Sequence, residues 1–498
     1  MLRSIKIIGM GVLLACTFGA CELEQEVLTG VTRDQLANNP PPELAAVLKQ
    51  SAYSVLMGDG SFGGHGGYYS YQEVTSDELA IPQKGGDWAD GGTWIRAHRH
   101  TWNVDDGELN GVWNFGYRVI AECNVLIGQY PTVEELVAEM KVLRALGYLW
   151  LLDNFGNVPI VTELTTNPSP PTNSRQEVFT FIETSILENA DALTRTNTRI
   201  NLNYWTAHMI LAKLYLNAEV YIGQPKWAEA EAALDVIINE GPYSLAPNFF
   251  SNFAQANSNS IENMFTLPYD ANNAGGFNLH HMTLHYESQK TFNLVEQPWN
   301  GYTVLEEFYN SYDDQDLRKQ GFLEGLQFAL DGTPLTDEVG FDGDPDGPQV
   351  IFTPEINMLE PNAFRQAGVR VHKFEYAIGA QSNLNNDFPV FRYADVLLMK
   401  AEAMLRRGNA AGGLEYVNQV RARAGGIEPY TELTLNNLLD ERGREMFGEG
   451  WRRSDLIRFG RFNAPWWEKP SSPATRNLFP IPINQIQSNP NLTQNPGY

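Results

Sequence analysis

Apolar residues recur at steps of three and four through the first half of the chain and again near its end, the spacing of helices with one buried face. The stretch "PPELAAVLKQSAYSVLM" (41–57) opens with Pro and Glu, good first-turn residues, and continues at that period. In "DDGELNGVWNFGYRVIAECNVLIGQY" (105–130), Leu109, Trp113, Tyr117, Ile120 and Asn124 fall on one stripe. The segment 132–156 begins with Thr132 and Glu135 at capping-box spacing, and Leu136, Met140, Leu143, Gly147 and Trp150 line one face. Ser174 and Glu177 open a further helix over 174–193 in the same way. Two later stretches read as helical hairpins. Gly223 and Pro225 break the first, and Gly408-Asn409 breaks the second. Small Ala residues recur where the paired helices would meet. This is the logic of tetratricopeptide pairs, although neither copy fits the 34-residue consensus.

Between about 241 and 390 the pattern changes. Gly, Asn, Pro and Asp dominate, strands are short at most, and the loops are long enough to carry function. The tail "NLFPIPINQIQSNPNLTQNPGY" reads as an extended segment packed over the helices. Most of the periodic signal is therefore helical, with long irregular loops and few short strands.

The first residues follow a different logic. "MLRSIK" supplies a basic start and "IIGMGVLLACTFGA" an apolar run of signal-peptide length, too short to span a bilayer. Phe18-Gly19-Ala20-Cys21 then has the form of a bacterial lipobox, in which cleavage precedes a cysteine that becomes lipidated. Leu13-Leu14-Ala15-Cys16 fits loosely but leaves a very short apolar region. An ordinary secretory signal or a buried helix would be the plain alternatives. Cleavage after Ala20 removes Arg3 and Lys6 and no acid, which takes the formal charge from −25 to −27. The mature chain then keeps Cys21 and Cys123, so a lipidated Cys21 leaves no pair to bridge.

Such an acidic chain repels nucleic acid, and no basic run suits an anionic membrane surface. No CxxC or Cys/His cluster suggests zinc. Gly58-Asp59-Gly60-Ser61-Phe62-Gly63 matches G-x-G-x-x-G but follows a helix, without the strand that a nucleotide site needs. The run Asp342-Gly-Asp344-Pro-Asp346-Gly347 starts like a calcium loop, yet Pro345 sits inside it and Thr353 stands at the twelfth position, so it reads as a solvated turn. Neither His280/His281 nor His98/His100 has the i, i+4 spacing of metal ligands on a helix. The sequence thus nominates no metal, no cofactor and no catalytic group. Acids are plentiful, but nothing singles out a pair for glycoside hydrolysis.

Several segments together carry a resemblance: the lipobox, "NGVWNFGYRVIAECNVLI", "KVLRALGYLWLLDNFGNVPIVTE", "PWNGYTVLEEFYNSYDDQDLR", "FRYADVLLMKAEAML", "ERGREMFGEGWRRSDLIRFGRF" and the closing "NLFPIPINQI". In this order they resemble the SusD/RagB family of Bacteroidetes outer-membrane lipoproteins. The resemblance implies an all-α fold, with tetratricopeptide-like helical hairpins as scaffold, long irregular loops and few short strands, and a non-enzymatic surface binder that captures an oligo- or polysaccharide, or in some members peptides. It would act as a lid on a SusC-like TonB-dependent transporter, to which it delivers the ligand. The expected organisation is a signal peptide (1–20), a lipidated N-terminus and tether (21–40), a helical region with tetratricopeptide-like pairs (41–240), a loop-rich ligand-binding region (241–390) and a C-terminal helical region with its tail (391–498). Glu22, Glu24 and Glu26 resemble the family's surface-export signal.

Sugar has apolar C–H faces and polar rims, so flat aromatics beside Asn, Asp, Arg and His suit it. Two stretches have that chemistry. In the glycine-rich 76–102, Trp88 and Trp94 lie beside Asp87, Asp90, Arg96 and His98, with Trp102 assigned to the core. The second is Trp299, Asn300 and Tyr302 in the turn "PWNGY". The plain alternative is that these rings staple loops and cap the following helix. Trp113 and Trp150 belong to core stripes, Trp451 to a structural turn, and Asp316 with Arg318 to a fold-stabilising ion pair. A charge of −27 favours a neutral glycan, of which a β-glucan such as laminarin is one example. A peptide-capturing lipoprotein of the same fold is the main alternative. A lipid-anchored glycoside hydrolase is a more distant one.

Overall fold

The computed structural model describes residues 42–58, 60–163, 169–340 and 342–498. Cys21, the acids after it and the tether lie outside these residues.

The helical periods produce the expected elements: Pro42–Ser54, Gly107–Gln129, Glu134–Phe155, Arg175–Leu187, Tyr204–Leu216, Trp227–Glu240, Tyr393–Arg406 and Ala410–Ala424. They pack as consecutive pairs. Gly107–Gln129 lies against Glu134–Phe155, Tyr204–Leu216 against Trp227–Glu240, and Tyr393–Arg406 against Ala410–Ala424. Trp227–Glu240 also contacts Tyr393–Arg406, which joins the N-terminal hairpins to the C-terminal pair. Most of the pairs share a core in which Trp102, Trp113, Trp150 and Trp451 are buried, and Ala410–Ala424 packs through Val417 and Val420 into a second cluster with Leu397 and Leu398. Burial of this much aromatic surface is the main favourable term holding the scaffold.

Helix starts follow their capping chemistry, with one difference. Ser174 and Glu177 form the reciprocal capping box the sequence predicts, and Asn203 with Thr206 forms another. At the start of Glu134–Phe155, Val133 takes the cap position without a side-chain bond, one residue after the predicted Thr132. The tail differs too. Phe479 and Ile481 are buried as expected of a packed strap, but Ile483–Ser488 is a short helix. Pro482 stands as its N-cap with φ −58° and ψ 141°, a position where the missing N–H costs no helical bond.

Among the described residues, four antiparallel two-stranded pairs tie down the loop-rich region. Asn263–Pro268 pairs with Asp387–Arg392, closing the region at its base. Leu79–Ala80 pairs with Thr303–Val304 in the register Leu79 to Val304. That short pair decides the site, because it draws the 76–102 stretch to the "PWNGY" turn.

Beneath the loops lies a buried ionic network. The fully buried Arg392 binds Glu262 at 2.6 Å, Glu445 at 3.0 Å and Glu449 at 2.6 Å. Lys373 meets Glu449 at 2.6 Å, and Arg318 reaches Asp316 at 2.7 Å, Glu441 at 2.9 Å and Glu445 at 3.0 Å. Asp316 and Arg318 thus pair as expected, but as one corner of a larger cluster. Burial alone would push Glu445 up, yet Arg423, Arg392, Arg318 and Lys373 outweigh it and hold the carboxyl below its ordinary range.

Candidate functional site

A glycine-rich loop over 58–67 carries the centre of the site. Gly67 has φ +57°, and a Cβ there would stand 2.4 Å from the Gly60 carbonyl oxygen, so the loop closes on itself only with glycine. Its backbone presents His65, whose N–H donates to Asn278 Oδ1 at 3.1 Å. This loop contains the G-x-G-x-x-G stretch of the sequence. Its glycines serve to place one imidazole.

Four rings surround His65. Trp94 lies 5.0 Å away, Trp88 5.1 Å, Tyr302 5.8 Å and Trp299 6.1 Å between ring centroids. The Tyr302 hydroxyl is 2.9 Å from His65 Nδ1. Thus Trp88, Trp94, Trp299 and Tyr302, nominated from two stretches about 200 residues apart, meet at a residue that the sequence pattern did not nominate. A histidine flanked by four glycines, "GGHGG", was the available signal.

The rings are held edge by edge. Trp88 Nε1 donates to the Trp299 carbonyl at 2.7 Å, and Trp94 Nε1 donates to Asp90 Oδ2 at 2.9 Å. Gly301 makes room for this packing, since a Cβ there would lie 2.3 Å from the Trp88 ring. The "PWNGY" turn is strapped to the helix Leu279–Thr283 through Trp299 N–H to the His281 carbonyl at 2.7 Å and Tyr302 N–H to the Met282 carbonyl at 2.8 Å. Trp88, Asp90 and Asn300 all have positive φ, at 57°, 36° and 54°. Such backbone strains a non-glycine residue, and strain of this kind tends to collect at functional sites.

Accessibility divides the nominated residues. Asp87 and Asp90 are exposed, and Trp299, like His65, is half-buried. Trp88 and Trp94 are 8% and 2% exposed, so they form the wall and base of the cup. Tyr302 and Asn300 are buried completely and offer no surface to a ligand. Asn300 instead donates to the Arg365 carbonyl at 2.8 Å and accepts from Arg370 at 3.0 Å. Arg96 is taken up by Asp106 and the Gly91 carbonyl, bracing the loop from its side. His98 stands apart from the cup. Its Nε2 lies 2.8 Å from the Trp467 carbonyl, and burial lowers its pKa to about 4. Two of the predicted polar residues, Arg96 and Asn300, therefore position the site from behind, and His98 packs elsewhere.

The polar rim combines the nominated Asp87 and Asp90 with residues the sequence did not single out. The Tyr286 hydroxyl donates to Asp87, and the Arg365 guanidinium lies over the Tyr286 ring at 4.2 Å. Arg365 also pairs with Asp337 at 2.8 Å. Tyr286 and Arg365 are half-buried, so each keeps surface beside the cup. No group of three or more His, Cys, Asp or Glu among the described residues is arranged to hold a metal ion. The 342–347 stretch is a turn in which Asp344 Oδ1 accepts from the Asp346 N–H at 2.9 Å.

Fold and site together define a scaffold of helical pairs presenting an aromatic cup with a polar rim. The comparisons agree with that scaffold, and the chain resembles the SusD family, whose model matches residues 261–498. It is 28% identical over 410 residues to "Starch-binding protein SusD" of Bacteroides thetaiotaomicron, covering 72% of each chain. A "SusD-like protein" of Bacteroides ovatus is 24% identical over 399 residues, covering 72% of this chain and 66% of the relative. Among solved structures, a "Laminarin binding SusD-like protein" superposes with a TM-score of 0.73 at 24% identity, covering 92% of this chain and 99% of that one. "Surface glycan-binding protein A from Bacteroides thetaiotaomicron in complex with laminarihexaose" superposes with a TM-score of 0.72 at 22% identity, covering 91% and 99%. These structures establish the all-α, tetratricopeptide-like fold.

Proposed function

We propose that the protein is a cell-surface lipoprotein that binds an oligo- or polysaccharide at the aromatic cup around His65 and delivers it to a SusC-like TonB-dependent transporter. The observation that carries this reading is the convergence of Trp88, Trp94, Trp299 and His65, with Asp87, Asp90, Tyr286 and Arg365 at the rim. A sugar ring can lay its C–H face on the accessible Trp299 and offer its hydroxyls to the rim. Relatives named for binding starch and laminarin support a glycan, and a neutral one suits the acidic chain. Their names also support binding without catalysis.

Anchoring follows from Cys21. A bacterial lipoprotein cysteine carries more than one acyl chain, enough for a durable hold on the outer membrane. Glu22, Glu24 and Glu26 would direct the protein to the outer face, where the cup meets polysaccharide. Cys21→Ala is expected to release the protein from washed membranes; retention of that variant would refute the anchor.

The binding reading is tested by electrophoresis of the purified protein through gels containing starch, laminarin and other neutral polysaccharides. Retardation by at least one is expected. Mobility unchanged by every polysaccharide, with binding to peptides in a parallel screen, would move the function to peptide capture. Release of reducing sugar from a retained polysaccharide would overturn the non-enzymatic reading.

A further inference from the structure

His65 belongs to two surfaces. It centres the aromatic cup, and it also lines a cleft of about 660 Å³ between the glycine loop and the outer face of helix Gly107–Gln129. A volume of that size falls within the roughly 300–1,000 Å³ of sites that enclose small ligands. The floor is bare backbone. Gly66 and Gly67 approach the helix so closely that a Cβ on Gly66 would lie 2.9 Å from Glu108 Oε2. Glu108 fixes that approach by accepting from the Gly67 N–H at 2.8 Å.

The helix wall carries recognition chemistry in step with its period: Glu108, Asn114, Tyr117 and Arg118. Tyr117 is half-buried; its hydroxyl donates to the Pro159 carbonyl at 2.9 Å and its ring packs on Trp113 at 4.9 Å. This leaves a fixed aromatic edge along the cleft. Arg118 is exposed and forms no ion pair among the described residues. A guanidinium outside any ion pair suits adjacent hydroxyls of a sugar, and the Tyr117 edge suits a C–H face.

We propose that a glycan held at the cup continues past His65 into this cleft, so that the site selects for chain length, with Tyr117 and Arg118 forming its far end. This rests on the cup being the glycan site. Cup and cleft share His65, so one extended chain can occupy both without a gap. A short oligosaccharide fills only the cup and is blind to Arg118.

The test is calorimetric titration with laminaritriose and laminarihexaose, and with maltotriose and maltohexaose, using wild type, Arg118→Ala and Trp299→Ala. Arg118 is exposed, and an unchanged melting temperature certifies that variant as folded. For the wild type, the hexaose of the bound series is expected to bind about tenfold or more tightly than its triose. Arg118→Ala should weaken the hexaose about five- to tenfold and leave the triose within about twofold, whereas Trp299→Ala should weaken both. A wild-type hexaose no tighter than its triose, or a hexaose advantage that survives Arg118→Ala, overturns the cleft while the cup stands. Failure of the wild type to bind any of the four, together with unchanged mobility in every polysaccharide gel, removes the cup reading and its extension together.

Discussion

Glu73 shows how much a single buried side chain can determine. It lies in the helix Gly67–Val74 that follows the glycine loop, and its Oε1 accepts from the Gly450 N–H at 2.7 Å. Burial raises its pKa to about 7, and the nearby Glu78, also buried, is raised well above its ordinary value. A raised acid stabilises the fold when protonated. Its contribution is complete below the unfolded value near 4.5 and is lost as pH rises through about 7. The melting temperature should therefore fall between about pH 4.5 and pH 7, and Glu73→Gln should reduce that fall. An identical decline in the variant would contradict the assignment. Nothing in the sequence marked this pair. Glu73 and Glu78 look like any acids in a helix and the turn after it until packing against residues 448–450 removes their water.

Elements explain why half of the site was readable. Helices declare themselves through period and caps, so the hairpins, the stripes through Trp113 and Trp150, and the break at Gly223 follow from local rules. Trp88 and Trp299 stand out because large rings among glycines need a reason. Their meeting depends on the two-residue pair of Leu79–Ala80 with Thr303–Val304, too short for any periodic signal. His98 and Asn300 show the converse. Their chemistry suits a sugar, but inward orientation commits it to backbone carbonyls. His65, Tyr286 and Arg365 were missed because only the fold places them beside the rings. The turn itself gives a test. Gly301→Ala would drive a methyl into the Trp88 ring, so the cup should lose glycan affinity by about tenfold while the helical circular dichroism is unchanged. Full affinity in that variant would mean that the Trp88–Gly301 contact is not part of the working site.

At the scale of the whole molecule, one ionic network holds the loop-rich region to the C-terminal helices. Arg392 comes from a strand, Glu262 from the segment before its partner strand, and Glu445 and Glu449 from the helix Leu435–Met446 and the turn after it. Removing one partner of a buried cluster leaves charges without compensation. Arg392→Met should therefore cost about 3–5 kcal/mol in denaturant unfolding. A cost below about 1 kcal/mol would mean that the network is not holding these parts together. The sequence hinted at this only through Asp316 and Arg318, because Glu441 and Glu445, which complete that corner, lie far along the chain. It is also why loops rich in Gly and Asn can hold a preformed cup: they rest on a fixed base.

The central claim is that the cup around His65 binds glycan through its accessible ring. The most direct measurement is the affinity of wild type and Trp299→Ala for the polysaccharide that retards the protein, with melting temperature as the control for folding. The account predicts that Trp299→Ala loses about tenfold or more, as expected from about 1–2 kcal/mol of lost ring burial, with the fold intact. Equal affinity in wild type and a folded Trp299→Ala variant would contradict it.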